Sequence, residues 1–240
     1  MKEIISELVP TKNKEKLINY ARKLIELSNT IDIPDGPLGL PSPSSPILSC
    51  IIKENINYAD IITHIRLLDI NSLNLLNIMF GLKMSGINKV LLVRGDPPSI
   101  GKKIDDISPE EGISIIRSNI DGIEGGLLLN LNKPSEEIEK RVNIKASFYL
   151  ITRPWNSDKL ERISKSIKRN GSKLYIYFVI LSDSNKEFLL RYLPSEELIK
   201  VNKIKEAIDT IGSFVDGILF SSPNDFNSLL YSLEIANKVI

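Results

Sequence analysis

The chain has 240 residues, of which 42% are hydrophobic and 25% charged, with a formal net charge of +1. That composition can bury a full core and carries no basic excess to neutralise phosphates, which argues against disorder and against nucleic acid as the main partner. A single cysteine, Cys50, excludes an internal disulfide, and one histidine leaves too few ligands for a zinc site of the usual composition.

The amino-terminal segment "MKEIISELVPTKNKEK" mixes acids and lysines and lacks the apolar stretch of a signal peptide. No later run is long enough to span a bilayer, so the expected location is the cytoplasm, with no membrane partner. Eight short apolar runs follow one another: "EIISELV", "TIDIP", "ADIITHI", "KVLLVR", "GGLLLNL", "SFYLIT", "LYIYFVI" and "DGILFSS". Segments with helical periodicity lie between and after them, among them "KEKLINYARKLIELS", "NSLNLLNIMFGLKMSG", "SDKLERISKSIKRNG" and "EELIKVNKIKEAIDTIG". "SPEE" at 108–111 and "PSEE" at 134–137 and 194–197 are helix starts, with acids at the positive helix end, and Gly86, Gly171 and Gly212 close helices. Cys50, within "SPILSCIIKE", sits on an apolar helix face as a small core residue.

Near-continuous apolar strands, each followed by a helix, predict a parallel sheet covered on both faces, and eight of them predict closure into a (β/α)8 TIM barrel, as one domain over residues 1–240. A doubly wound open sheet is the alternative. In such barrels ligands meet the carboxyl ends of the strands, so the candidate positions are Glu7, the "PDGPLGLPSPSSP" loop, His64, Arg94 to Pro98, Asn130, Thr152 to Trp155 and Ser221 to Asn224. Glu7 is either a solvent-facing acid or, pointing inward, a shielded carboxyl with a raised pKa suited to acid catalysis. His64 is a strand-end ligand or a hydrogen-bonded core histidine, and Asp69 and Asn71 beyond it can both serve as helix caps. In "VRGDPP", Gly95 permits close approach of the backbone to a planar or phosphate group, and Arg94 and Asp96 bracket it with opposite charges, unless they form a salt-bridged strand end. No GxGxxG, Walker loop or serine elbow is present.

Taken together, "SELVP", "PDGPLGLPSPSS", "HIRLLDIN", "GLKMSGINKVLLVRGDPP" and "DGILFSSPNDFNSLL" resemble, in order and over nearly the whole chain, the methylenetetrahydrofolate reductase family of flavin-dependent (β/α)8 barrels. The resemblance implies a bound FAD and hydride transfer to the methylene bridge of a reduced pterin, giving its 5-methyl form. It implies Glu7 as catalytic acid and Asp96 as the residue tuning the redox step against flavin and pterin. His64, Arg94, Gly95 and Asn130 would contact the flavin, Lys140 or Arg141 its phosphates, and Thr152 and Arg153 the pterin, with no metal required. NAD(P)H or ferredoxin would supply electrons, a methyltransferase could be a partner, and a homo-oligomer is expected. Arg66, Leu68 and Arg153 depart from the family pattern, as does "LSDS" after the seventh strand. A second reading within the same resemblance is a non-redox pterin-binding barrel or accessory subunit that serves a methyltransferase.

Overall fold

The computed structural model describes residues 2–240. Their elements run in the order β1 (Glu3–Glu7), α1 (Lys14–Ile25), β2 (Thr30–Ile33), α2 (Ser45–Asn55), β3 (Asp60–Arg66), α3 (Ser72–Met84), β4 (Lys89–Val93), α4 (Pro109–Asn119) and β5 (Glu124–Asn130). There follow α5 (Ser135–Val142), β6 (Phe148–Arg153), α6 (Leu160–Arg169), β7 (Lys173–Leu181), α7 (Lys186–Leu189), β8 (Leu198–Lys200), α8 (Ile204–Ile211), β9 (Gly217–Ser221) and α9 (Phe226–Val239). Strands β1 to β7 pair in sequence order, β7 pairs with β9, and β9 returns to β1. Every pairing is parallel, so eight strands close a ring: the fold is a (β/α)8 TIM barrel.

The eight strands read from the sequence are those of the ring. One segment differs. "EELIKVNKIKEAIDTIG" is not a single helix: its start forms a short 3-10 turn and then β8, which pairs with Val179–Leu181 at the top of β7, and α8 begins only at Ile204. The reason is burial. Leu198 and Ile199 are buried against the barrel rim in an extended stretch, where packing overrides the helical spacing. The same segment's "PSEE" therefore opens only that turn, whereas "SPEE" forms a full capping box, Ser108 and Glu111 each satisfying the other's backbone N–H.

Strand alternation divides the core into two shells. Outward residues such as Ile4, Ile31, Ile65 and Tyr149 pack beneath the helices. Inward residues Ile5, Ile62, Leu91, Phe148, Leu150, Tyr175 and Leu219 fill the barrel lumen as a separate cluster. Gly126 is part of that packing, because a Cβ there would overlap the Phe148 ring. Below this plug, at the amino-terminal end, Glu3 accepts hydrogen bonds from Thr30 (2.7 Å) and Tyr175 (2.8 Å), while Lys89 pairs with Asp60 at 2.5 Å. Above it lies the mouth.

Candidate active site

The parity that sends Ile5 into the lumen sends Glu7 in as well, one layer higher. The same rule brings Asp32 from β2, His64 from β3, Tyr177 from β7 and Ser221 from β9 to the carboxyl end of the barrel. Glu7 and Asp32 are register partners on adjacent strands. Ser221 Oγ donates to Glu7 Oε1 at 2.5 Å and Tyr177 OH donates to Oε2 at 2.9 Å. His64 Nε2 meets Asp32 Oδ1 at 2.8 Å. Asp32 Oδ2 is buried and has no hydrogen-bond partner among the described residues.

Burial raises the Glu7 pKa, and the charge of Asp32 adds to it; the two hydroxyl donors and His64 oppose without prevailing. For His64, burial favours the neutral ring, but the charge and hydrogen bond of Asp32, joined by Glu7 and Asp35, outweigh it and raise the pKa. Tyr177 is driven well above its ordinary value by burial and by Glu7, so it remains a hydrogen donor. The mouth thus holds a carboxyl whose pKa is raised next to a second carboxyl group that is hydrogen-bonded to an imidazole whose own pKa is raised.

A cavity of about 420 Å³ opens on these groups, with Leu92, Leu128 and Leu150 among its apolar walls. Arg94, Gly95, Asp96, Arg141 and Thr152 line it too. Asn130, Lys140 and Arg153 do not. Asn130 accepts from the Asn132 N–H at 2.9 Å to shape its own turn, Lys140 is exposed in a separate cleft beside α5, and Arg153 faces Glu197 at 3.8 Å. A larger cleft of about 950 Å³ lies at the opposite, amino-terminal end. Its buried charges are mutually paired, and in this architecture that face serves stability, so the mouth is the candidate site.

The loops over the mouth are fixed by Arg66. Its buried side chain pairs with Asp69 at 2.6 Å and donates to the carbonyls of Gly36 (3.2 Å) and Asp96 (2.6 Å). Asp69 is therefore an ion-pair partner, not a cap, whereas Asn71 does cap α3 by accepting from Asn74 N–H. Asp32 and Tyr177 are absent from the residues singled out in the sequence. The signal available is parity: Asp32 lies between isoleucines in "TIDI", and Tyr177 is two residues beyond Tyr175 in "LYIYFVI".

The fold and the mouth define a (β/α)8 barrel with a paired carboxyl and histidine cluster at the carboxyl ends of its strands. Solved structures of similar shape include tryptophan synthase α-subunits from the hyperthermophile Pyrococcus furiosus. The subunit of the α2β2 complex has a TM-score of 0.61 at 15% identity and covers 100% of this chain and 97% of that one. A point mutant of the α-subunit from the same organism gives 0.63 at 14%, covering 98% of each chain. At these identities the likeness is one of fold. No family model matches the chain, and no curated protein matches it.

These findings overturn the methylenetetrahydrofolate reductase resemblance: no model of any family recognises the chain, and the shape neighbours named above are tryptophan synthase α-subunits. With it go the flavin oxidoreductase activity, the non-redox pterin-binding alternative, the FAD, the reduced pterin, the NAD(P)H or ferredoxin donor, the methyltransferase partner and the expected homo-oligomer. The residues do not fit a flavin. The space beside Gly95, where a planar group would approach, is filled by Arg66, whose Cγ would lie 2.8 Å from a Cβ at that position. Arg141, expected on the phosphates, is bound to Glu110 at 2.7 Å and to the Leu128 carbonyl at 2.9 Å. Arg94 is paired with Asp105 at 3.0 Å. Among the described residues, no helix is long and apolar enough to cross a membrane.

Proposed function

We propose that this chain is an acid–base enzyme of lyase type, with Glu7 as proton donor and Asp32, held by His64, as proton acceptor. The observation that carries the reading is the pairing of Glu7 with Asp32 across β1 and β2: two neighbouring carboxyl groups, of which burial raises the pKa of Glu7 while Asp32 is held by the His64 ring at 2.8 Å. The tryptophan synthase α-subunits lend a scaffold precedent.

In the step, the bond between a substrate carbon and its leaving group breaks, and the departing electron pair takes the Glu7 proton. A proton on the adjacent atom passes to Asp32, and the electrons it leaves form the new double bond. The His64 imidazolium balances charge while Asp32 is ionised. Return of the proton from Asp32 to Glu7 between adjacent strands restores the resting state. Tyr177 and Ser221 hold the Glu7 carboxyl in place by donating to its two oxygens, which leaves its proton for the leaving group.

Infrared difference spectroscopy tests the reading. The wild-type protein should show a protonated-carboxyl band that persists above pH 4.5 and is missing in Glu7→Gln. A wild-type spectrum without that band would remove the proton donor and with it the proposed chemistry. A parallel screen of small substrates for bond cleavage should find turnover that Glu7→Gln loses.

A further inference from the structure

The charges around the mouth say what kind of ligand it accepts. Three cations line the cavity, and each is engaged: His64 with Asp32, Arg94 with Asp105, and Arg141 with Glu110 and a backbone carbonyl. An incoming phosphate or carboxylate would compete with the carboxylate already held by each of these cations. The acceptors are in surplus. Asp35, served by the Ser45 and Arg66 backbone N–H groups, and Asp96 line the same cavity, and Asp32, with its side chain 1% exposed, keeps Oδ2 without any donor. A buried carboxylate oxygen left unpaired is costly, and the group that relieves it must be a donor. Leucines 92, 128 and 150 offer apolar contact for the remainder of such a molecule.

We propose that the substrate of this site presents an N–H donor, of the amine or amidine kind, to Asp32 Oδ2, and that the mouth rejects phosphate and carboxylate ligands. This rests on the acid–base reading and names its substrate class. Asp32 then acts as a specificity determinant as well as a proton acceptor. An Asn at the position would retain an acceptor for His64 but turn an amide N–H₂ toward the ligand, so the preference should invert.

Isothermal titration calorimetry with benzamidine, benzoate and inorganic phosphate tests this on the full chain. Benzamidine should bind the wild-type protein, and benzoate and phosphate should bind at least tenfold more weakly. In Asp32→Asn, benzamidine affinity should fall at least tenfold while benzoate gains. Shifts of the His64 ring resonances in the wild-type protein locate the binding and decide the matter even if the variant does not fold. No benzamidine binding, benzamidine binding that leaves His64 unmoved, or benzoate or phosphate binding as tightly would overturn the proposal. Failure of the acid–base reading is separate: the Glu7 infrared band would be missing while benzamidine still bound.

Discussion

Glu7 and Asp32 face each other as register partners across β1 and β2, one pushed toward its neutral form by burial and the other held by the His64 ring at 2.8 Å. The arrangement needs only one inward-facing residue on each of two adjacent strands. The two groups also differ in their partners: hydroxyls from β7 and β9 serve Glu7, while an imidazole from β3 serves Asp32.

This cluster makes the stability of the barrel depend on pH. A carboxyl whose pKa is raised on folding gives stability that is fully present below its ordinary value of 4.5 and is lost as pH climbs through the raised one. His64, raised above 6.5, gives stability that is likewise lost as pH rises through its folded value. Both act in the same direction, so stability measured at two pH values, one near 4.5 and one well above 6.5, should be lower at the higher, by about 1.4 kcal/mol for every tenfold gain in proton affinity that folding confers. Glu7→Gln should flatten the fall. Urea midpoints of both proteins at the two pH values measure it, and an identical slope in the variant would contradict burial as the cause.

The ring of strands was legible because each strand carries its own apolar run with the right punctuation between runs, as in "KVLLVR" and "DGILFSS". β8 was not, since Leu198 to Lys200 is three residues inside a helix-like pattern, and only the rim of β7 makes it a strand. In the mouth, Glu7 and His64 were visible as polar residues closing apolar runs. Asp32 was hidden by the isoleucines around it, and Arg66 by its distance in sequence from Gly36 and Asp96. The appeal of "VRGDPP" as a ligand loop came from Gly95; what approaches that glycine is another side chain of the same chain.

Arg66 joins the loops after β2, β3 and β4, through Gly36, Asp69 and Asp96. A lysine has one ammonium in place of a planar fork and cannot serve all three. Arg66→Lys is expected to cost about 2–3 kcal/mol, from charge-assisted hydrogen bonds lost and carbonyls left unpaired. Limited proteolysis should then cut first in residues 94–108. Cleavage there at the wild-type rate would mean the loops hold together without the guanidinium.

Gly39 and Gly101 both have positive φ, at 69° and 86°, but differ in surroundings. A Cβ at Gly39 would overlap the Pro97 carbonyl oxygen, whereas one at Gly101 meets nothing within 4 Å. Gly101→Ala should therefore cost about 1 kcal/mol, from the backbone conformation alone. Gly39→Ala should cost more, by about 1–3 kcal/mol, because the two mouth loops must separate. It should also break the hydrogen bond from Ser99 N–H to the Gly39 carbonyl (2.9 Å), detectable as faster amide exchange at Ser99. Equal losses in the two variants would show that the loops are not packed on each other.

At the other end of the barrel the pH dependence reverses. Burial works to raise the Glu3 pKa, but hydrogen bonds from Thr30 and Tyr175 and the charges of Lys89 and Lys173 outweigh it, and the net shift is downward. A depressed carboxylate gives stability that is present above its unfolded value of 4.5 and lost as pH falls through the folded one. Glu3→Gln should cost about 1–3 kcal/mol near neutral pH, since it replaces a charged acceptor beneath the lumen plug with a neutral amide. The gap between variant and wild type should close as the medium is acidified below pH 4.5, where Glu7→Gln has no corresponding gap to close. Urea unfolding of the two variants side by side separates the ends of the barrel: the Glu3 effect belongs to the acid limb and the Glu7 effect to the neutral one. If both variants responded on the same limb, the amino-terminal network and the mouth would be titrating as one electrostatic unit through the apolar plug.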